Sequence, residues 1–246
     1  MYKCNEYNVR YFDLETAPYP FYHWIFMEDR HAILPKPIHR GLMHKYAFFI
    51  SIPGALFLIL SSPSPTIFWT MMIYGFSLMG LFGVSALYHR TKWKTLDTAK
   101  RMGKLDRTMI YIFIAGNFTP FATLAMEGSL PQILLLMLWS AVLVGAVINL
   151  FWYAAPNWIH SVLYLVVSWV CCVSVPQLWD HLGLIALSWI FLGGVLHTVG
   201  AVVYAMRSPN PFPKTFGFHE VFHTFVTVAI AIHYGVVAHY LLPIQT

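Results

Sequence analysis

Residues 131–153 read PQILLLMLWSAVLVGAVINLFWY. No charged side chain interrupts this run, and three aromatics, Phe151, Trp152 and Tyr153, close it. At 1.5 Å per residue, a helix of that length crosses a hydrocarbon core about 30 Å thick. Inside a bilayer each backbone N–H and C=O must be satisfied within the segment, so a helix is the form it takes. The run lies in a longer stretch, Thr108 to Met206, that contains no Lys or Arg. A basic side chain at a helix centre costs about 2.5–3.5 kcal/mol on insertion. Its exclusion over several span-lengths predicts several spans.

The whole composition agrees. The chain has 246 residues, 58% of them hydrophobic and 10% charged, where soluble domains carry about 25% charged. This excludes an ordinary soluble enzyme, a disordered chain and a nucleic-acid module. The basic run from Arg90 to Arg107 sits between two apolar segments, so it reads as a loop beside anionic lipid and not as a nucleic-acid site. Three cysteines, Cys4 and the adjacent Cys171 and Cys172, make neither a disulfide framework nor a Cys-type zinc site. The first 45 residues carry no signal-peptide pattern. The one glycosylation match, Asn117-Phe118-Thr119, lies inside an apolar segment and is expected to be unused.

The fold class expected is all-α, a polytopic seven-transmembrane bundle. The spans are Tyr46–Ser61, Pro65–Tyr88, Asp106–Ala125, Pro131–Tyr153, Trp158–Pro176, Gly183–Met206 and Phe218–Leu242. Turns fall at Ser62–Pro65, Glu127–Ser129, Ala154–Asn157, Pro176–His181 and Ser208–Pro213, where Pro and Gly punctuate the chain. Residues 1–45 form a tail in which Ile33 to Lys45 suits a helix on the membrane surface, and residues 243–246 a short C-terminal tail. With the N-terminus inside and the C-terminus outside, all 15 Lys and Arg fall on the cytoplasmic side, as the positive-inside rule requires.

Ionisable groups within spans are costly to insert and therefore functional candidates. Here they gather at span ends on one side. Ser85 and His89 close the second span, Asp106 opens the third, and His219, Glu220 and His223 open the seventh. Spacing of four puts Ser85 with His89, and His219 with His223, on common helix faces. Three imidazoles from two helices match an open zinc site, which takes three protein ligands and leaves a fourth position for water. Such a site activates water near neutral pH. Asp106 could hold or deprotonate that water, and Ser85 could orient His89 or donate to an oxyanion. The plainer readings are an interfacial His89, Ser85 as a packing residue, and Asp106 as an acid at a helix N-terminus. A His-Glu-x-x-His motif also suggests a protease with Glu220 as base, but no later span exists to supply a further ligand. His197 and His233 lie mid-span and are expected to hydrogen-bond neighbouring helices.

Ser85-Ala-Leu-Tyr-His89, Lys104-Leu105-Asp106-Arg107 and His219-Glu220-Val221-Phe222-His223 together resemble the progestin and adipoQ receptor / hemolysin III family. Pro37 to His44 and Gly193 to Ala205 resemble it too, and the likeness runs from about Lys36 to Leu242. The Glu220 form and the short tail are similar to the hemolysin III branch. The resemblance implies seven helices, N-in and C-out, with zinc near the cytoplasmic face. By motif position it implies His89, His219 and His223 as zinc ligands, Asp106 on the zinc water and Ser85 beside it. The wider superfamily includes alkaline ceramidases, and the short tail speaks against an adiponectin-like ligand.

The function expected is a zinc-dependent hydrolase of a lipid amide such as ceramide, with a membrane lipid as partner and no nucleic acid. The rivals are a receptor with a structural zinc and a hemolysin-like cytolysin.

Overall fold

The computed structural model describes residues 37–152 and 157–242. Among these residues there are seven α-helices and no strand. We number them α1 (Leu42–Leu60), α2 (Pro65–Arg90), α3 (Leu96–Leu124), α4 (Leu130–Phe151), α5 (Asn157–Trp169), α6 (Val175–Met206) and α7 (Phe218–Val236); α6 consists of two helical segments that meet at a non-helical Gly183. A 3₁₀ turn, Val170–Ser174, joins α5 to α6, and a π turn, Val237–Leu241, continues α7.

Local chemistry sets the ends. Ser64 accepts from the Ile67 N–H at 3.4 Å and Pro65 occupies the first helical turn, where its missing N–H costs nothing. Thr95 caps α3 by accepting from the Thr98 N–H at 3.2 Å.

The outside of the bundle is apolar. Leu60 is 80% exposed and Phe151 81%, and Ile50, Leu136, Leu143 and Ile185 are exposed as well. A surface of this kind belongs in lipid. Five segments are long and apolar enough to cross a membrane: Leu42–Leu60, Pro65–Arg90, Leu130–Phe151, Trp158–Met206 and Phe218–Leu241. The fourth of these holds both α5 and α6. The chain is thus a multi-pass helical membrane protein. Helix α3 is not in this set: its first turns carry Asp97, Lys100, Arg101, Lys104, Asp106 and Arg107, and its apolar part holds Asn117, Pro120 and several threonines.

Polar contacts sort the helix ends into two groups. At one end the Ile38 and His39 N–H groups donate to the Lys214 and Thr215 carbonyls at 3.2 and 3.1 Å. Arg90 Nη1 donates to the Ile38 carbonyl at 2.9 Å, and Lys104 Nζ to that of Leu150 at 3.0 Å. At the other end the Glu127 N–H donates to Gln177 Oε1 at 3.2 Å and Gln177 Nε2 donates back to the Glu127 carbonyl at 3.3 Å. The helices therefore alternate in direction, and the described Lys and Arg occupy the first half.

Several expected boundaries move. Helix α3 begins at Leu96, ten residues before Asp106, so much of the basic loop is helix. Its charges stay compatible with a helix because they sit near the polar end, and Asp97 pairs with Arg101 one turn on at 2.9 Å. The break expected over Pro176–His181 is helical. Pro176 lies in the first turn of α6, where proline is tolerated. The chain reverses at Gly183 instead, with φ +76° and ψ 175°, a conformation that glycine alone adopts cheaply. Trp169 Nε1, fourteen residues before Gly183, donates to Thr198 Oγ1, fifteen after it, at 3.1 Å, as an antiparallel pair folded there demands. The surface helix expected over Ile33–Lys45 is not seen within the described part. Pro37–Arg40 forms a turn, Leu42 already starts α1, and Ile33–Lys36 lie outside the described residues. So do most of the tail, Ala154–Pro156 and residues 243–246.

Candidate metal centre

The site forms where the end of α2 meets the start of α7. Ser85 and His89 are buried on the last two turns of α2. His219 and His223 share one face of the first turns of α7. The ligand nitrogens of His89, His219 and His223 all lie within 4.8 Å of one another. His89 Nε2 and His219 Nε2 are 3.2 Å apart. Zinc–nitrogen bonds of 2.0–2.1 Å at tetrahedral angles place neighbouring nitrogens about 3.3 Å apart. The donor set is all imidazole and the spacing suits a small ion such as zinc, so the residues present fit a metal.

Asp106 reaches the cluster from α3, with its Oδ2 3.7 Å from His89 Nε2. It lies ten residues into α3, so the reading of this acid as a helix N-terminal cap is corrected. Ser85 lines the same cavity one turn before His89, and its hydroxyl makes no hydrogen bond among the described residues. The structure thus brings together all five residues singled out from the sequence.

It also adds residues that the sequence reading passed over. His44 on α1 is 3% exposed and stacks on His223, with ring centroids 3.7 Å apart and planes 2° from parallel. Tyr204 on α6 presents an edge to His219 at 5.4 Å. Gly41, with φ +71°, lets the chain pass directly over His89, where a Cβ would collide with the His89 Cβ. The Arg40 guanidinium forms an ion pair with Glu220, which is 2% exposed. The other Glu220 oxygen accepts from the Gly217 N–H at 2.8 Å, while Asn210 Oδ1 accepts from the Phe218 N–H at 3.1 Å. Two N–H groups at the start of α7 are thereby satisfied. With both oxygens engaged, Glu220 caps and anchors α7 and is not placed as a base for a protease.

Above the cluster lies a cavity of about 830 Å³. Arg40, His44, Asp106 and the three clustered histidines line one end, and Phe113, Phe121, Leu187 and Ile190 line its depth. Leu184 and Phe191 both line it and are each more than half exposed, so the cavity is not sealed at α6. His233 does bond neighbouring helices, through Asn117 Nδ2 at 3.1 Å and the Ile190 carbonyl at 3.1 Å. His197 does not, and lines the cavity instead. Asn117, tied to His233 within the bundle, is not presented as a glycosylation site.

A family model described as haemolysin-III related matches residues 33–234. The chain belongs to the haemolysin III family. The Hemolysin-3 homolog of Bacillus subtilis (strain 168) is 31% identical over 197 residues, 78% of this chain and 88% of that protein. Hemolysin-3 of Bacillus cereus is 27% identical over 213 residues, 85% of this chain and 93% of that one. The human monocyte to macrophage differentiation factor is 28% identical over 175 residues, 70% of each chain. The matched residues of this haemolysin III family member include every side chain of the cluster, from Arg40 and His44 to His223 and His233.

Proposed function

We propose that this protein is a seven-span membrane hydrolase, N-terminus inside and C-terminus outside, that binds zinc through His89, His219 and His223 and cleaves a lipid amide such as ceramide. One observation carries the reading. Three imidazoles and a carboxylate lie at the polar end of a long apolar cavity that is not sealed at α6. A zinc ion bound there supplies Lewis-acid polarisation and an acidified water. The chain's own residues do the rest. The cavity walls take the acyl chain and exclude water from it. Asp106 holds a proton beside the reacting carbonyl, and the Ser85 hydroxyl donates to the oxygen on which charge develops. Membrane orientation rests on the basic half of the bundle facing the cytoplasm.

The test starts with zinc stoichiometry of the purified protein beside His219→Ala. About one zinc per chain is expected in the wild type, with loss in the variant. Ceramide hydrolysis is then measured for the wild type and Asp106→Asn. The variant should keep zinc and lose roughly 10²–10⁴-fold in rate, the usual contribution of a positioned acid or base. Zinc-loaded protein that cleaves no ceramide or related amide at any pH would overturn the hydrolase reading. The Arg40–Glu220 clamp favours a second one, in which the metal braces α2 against α7 in a signalling receptor. Asp106→Ala should then leave zinc and signalling intact. Liposome leakage that ignores zinc removal would instead indicate a lytic role.

A further inference from the structure

The cavity continues past the metal centre to a second polar group in the middle of the bundle, made of Asn117 on α3, His197 on α6 and His233 on α7. His233 lies ten residues beyond His223, about 15 Å along the helix axis. The Ile190 carbonyl can only accept, so His233 Nε2 carries the proton and Nδ1 takes an N–H from Asn117. That arrangement assigns the amide orientation as well, and leaves Asn117 Oδ1 buried with no hydrogen-bond partner. Gly193 packs so closely on His233 that a Cβ there would collide with its ring, which fixes the imidazole in place. The His197 ring lies 5.7 Å from that of His233 and 6.5 Å from Phe113. It lines the cavity and makes no hydrogen bond among the described residues.

A polar group at this depth is costly unless partnered. Asn117 Oδ1 is sealed from the cavity, but the His197 imidazole faces it without a hydrogen bond among the described residues, and a partner can reach that ring with whatever fills the cavity. We infer that His197, set beside the fixed Asn117–His233 pair, forms a second polar subsite, which binds a hydroxyl or carbonyl borne partway along an acyl chain whose head lies at the His89–His219–His223 end. The partner group is neutral, because no charged side chain belongs to the cluster and an unpaired charge there would be prohibitive. An extended chain advances about 1.25 Å per carbon, so about 15 Å places the polar group about a dozen carbons from the head. The inference rests on the proposal that the cavity holds a lipid, and it narrows the class to chains with an internal oxygen.

The probes are octadecanoate and 12-hydroxyoctadecanoate, titrated into the full-length, zinc-loaded protein in nanodiscs. The wild type should bind the hydroxylated acid about three- to tenfold more tightly, the worth of one net hydrogen bond. His197→Leu should erase that preference without changing octadecanoate affinity, zinc content or melting temperature. His197→Gln, which keeps a donor and an acceptor, should retain most of it. Equal affinities for the two acids in the wild type would overturn the subsite and leave the lipid-binding cavity standing. A preference that survives in His197→Leu would overturn it too. If neither acid binds, the lipid reading of the cavity fails and the subsite with it. Should the leucine variant not fold, the wild-type comparison and His197→Gln decide the matter.

Discussion

Replacing Arg40 by methionine tests whether the start of α7, and the two histidines on it, is held by charge. The Glu220 side chain is 1% exposed and Arg40 18%. Removing one partner of a buried ion pair leaves the other charge uncompensated, at about 3–5 kcal/mol. The bond from the Gly217 N–H to Glu220 at 2.8 Å persists in the variant, and Arg40 is partly open to solvent. The cost should therefore sit near the lower end, about 3 kcal/mol. Glu220→Gln alone keeps an acceptor for Gly217 but leaves Arg40 facing a neutral amide. In the double variant no buried charge remains, and about 1 kcal/mol of loss is expected from the weaker neutral hydrogen bond. A double-mutant cycle on the metal-free protein, read by reversible unfolding in mixed micelles, should give a coupling of at least about 2 kcal/mol, more by whatever Glu220→Gln costs alone. Because His219 adjoins Glu220, Arg40→Met should also weaken zinc binding by about tenfold, as changes to groups supporting metal ligands do. Additive single variants, or Arg40→Met within about 0.5 kcal/mol of wild type with zinc affinity unchanged, would refute this account of the helix start.

Three further outcomes are expected. Gly41→Ala forces a side chain into the left-handed region and onto the His89 Cβ; it should cost about 1–2 kcal/mol from backbone strain alone and reduce zinc content, measured by elemental analysis of folded protein. His44→Phe keeps the ring stacked on His223 and removes two buried nitrogens that have no hydrogen-bond partner; zinc should stay bound and the melting temperature rise, and a fall in both would show that the site needs the imidazole nitrogen. Protons compete with metal for imidazole ligands, so zinc affinity should fall as the pH is lowered; equilibrium dialysis carried well into the acid range would detect a flat profile, which would rule out an all-histidine ligand set.

The parts of this molecule that could be read from the sequence are those that a short-range rule governs. Residues 131–153 could be nothing but a buried or lipid-facing helix. The i, i+4 spacing within Ser85–His89 and His219–His223 put each pair on one face before any partner was known. Gathering these pairs with Asp106 followed from charge placement, since every candidate lay near a basic segment. What could not be read depends on contacts between distant residues. His44 looks like an interfacial histidine until α1 is laid against α7, and Glu220 reads as a possible base until Arg40, 180 positions away, arrives beside it. The early start of α3 is hidden because charged residues tolerate helix as well as loop. Pro176 suggested a chain reversal, but proline is equally at home in a first helical turn, and Gly183 made the reversal through a conformation that composition alone does not announce.

The two backbone bonds between Ile38–His39 and Lys214–Thr215 have a consequence for biogenesis. The strand of chain that carries Arg40 and His44 leaves the ribosome early, while its partners are made only after five further helices. Until α7 is inserted, His89 has no second imidazole, His44 has no ring to stack on and Arg40 has no carboxylate. The segment before α1 must wait, accessible, for the last connector to reach it. Completion of the histidine cluster therefore marks that the final helix has joined the first.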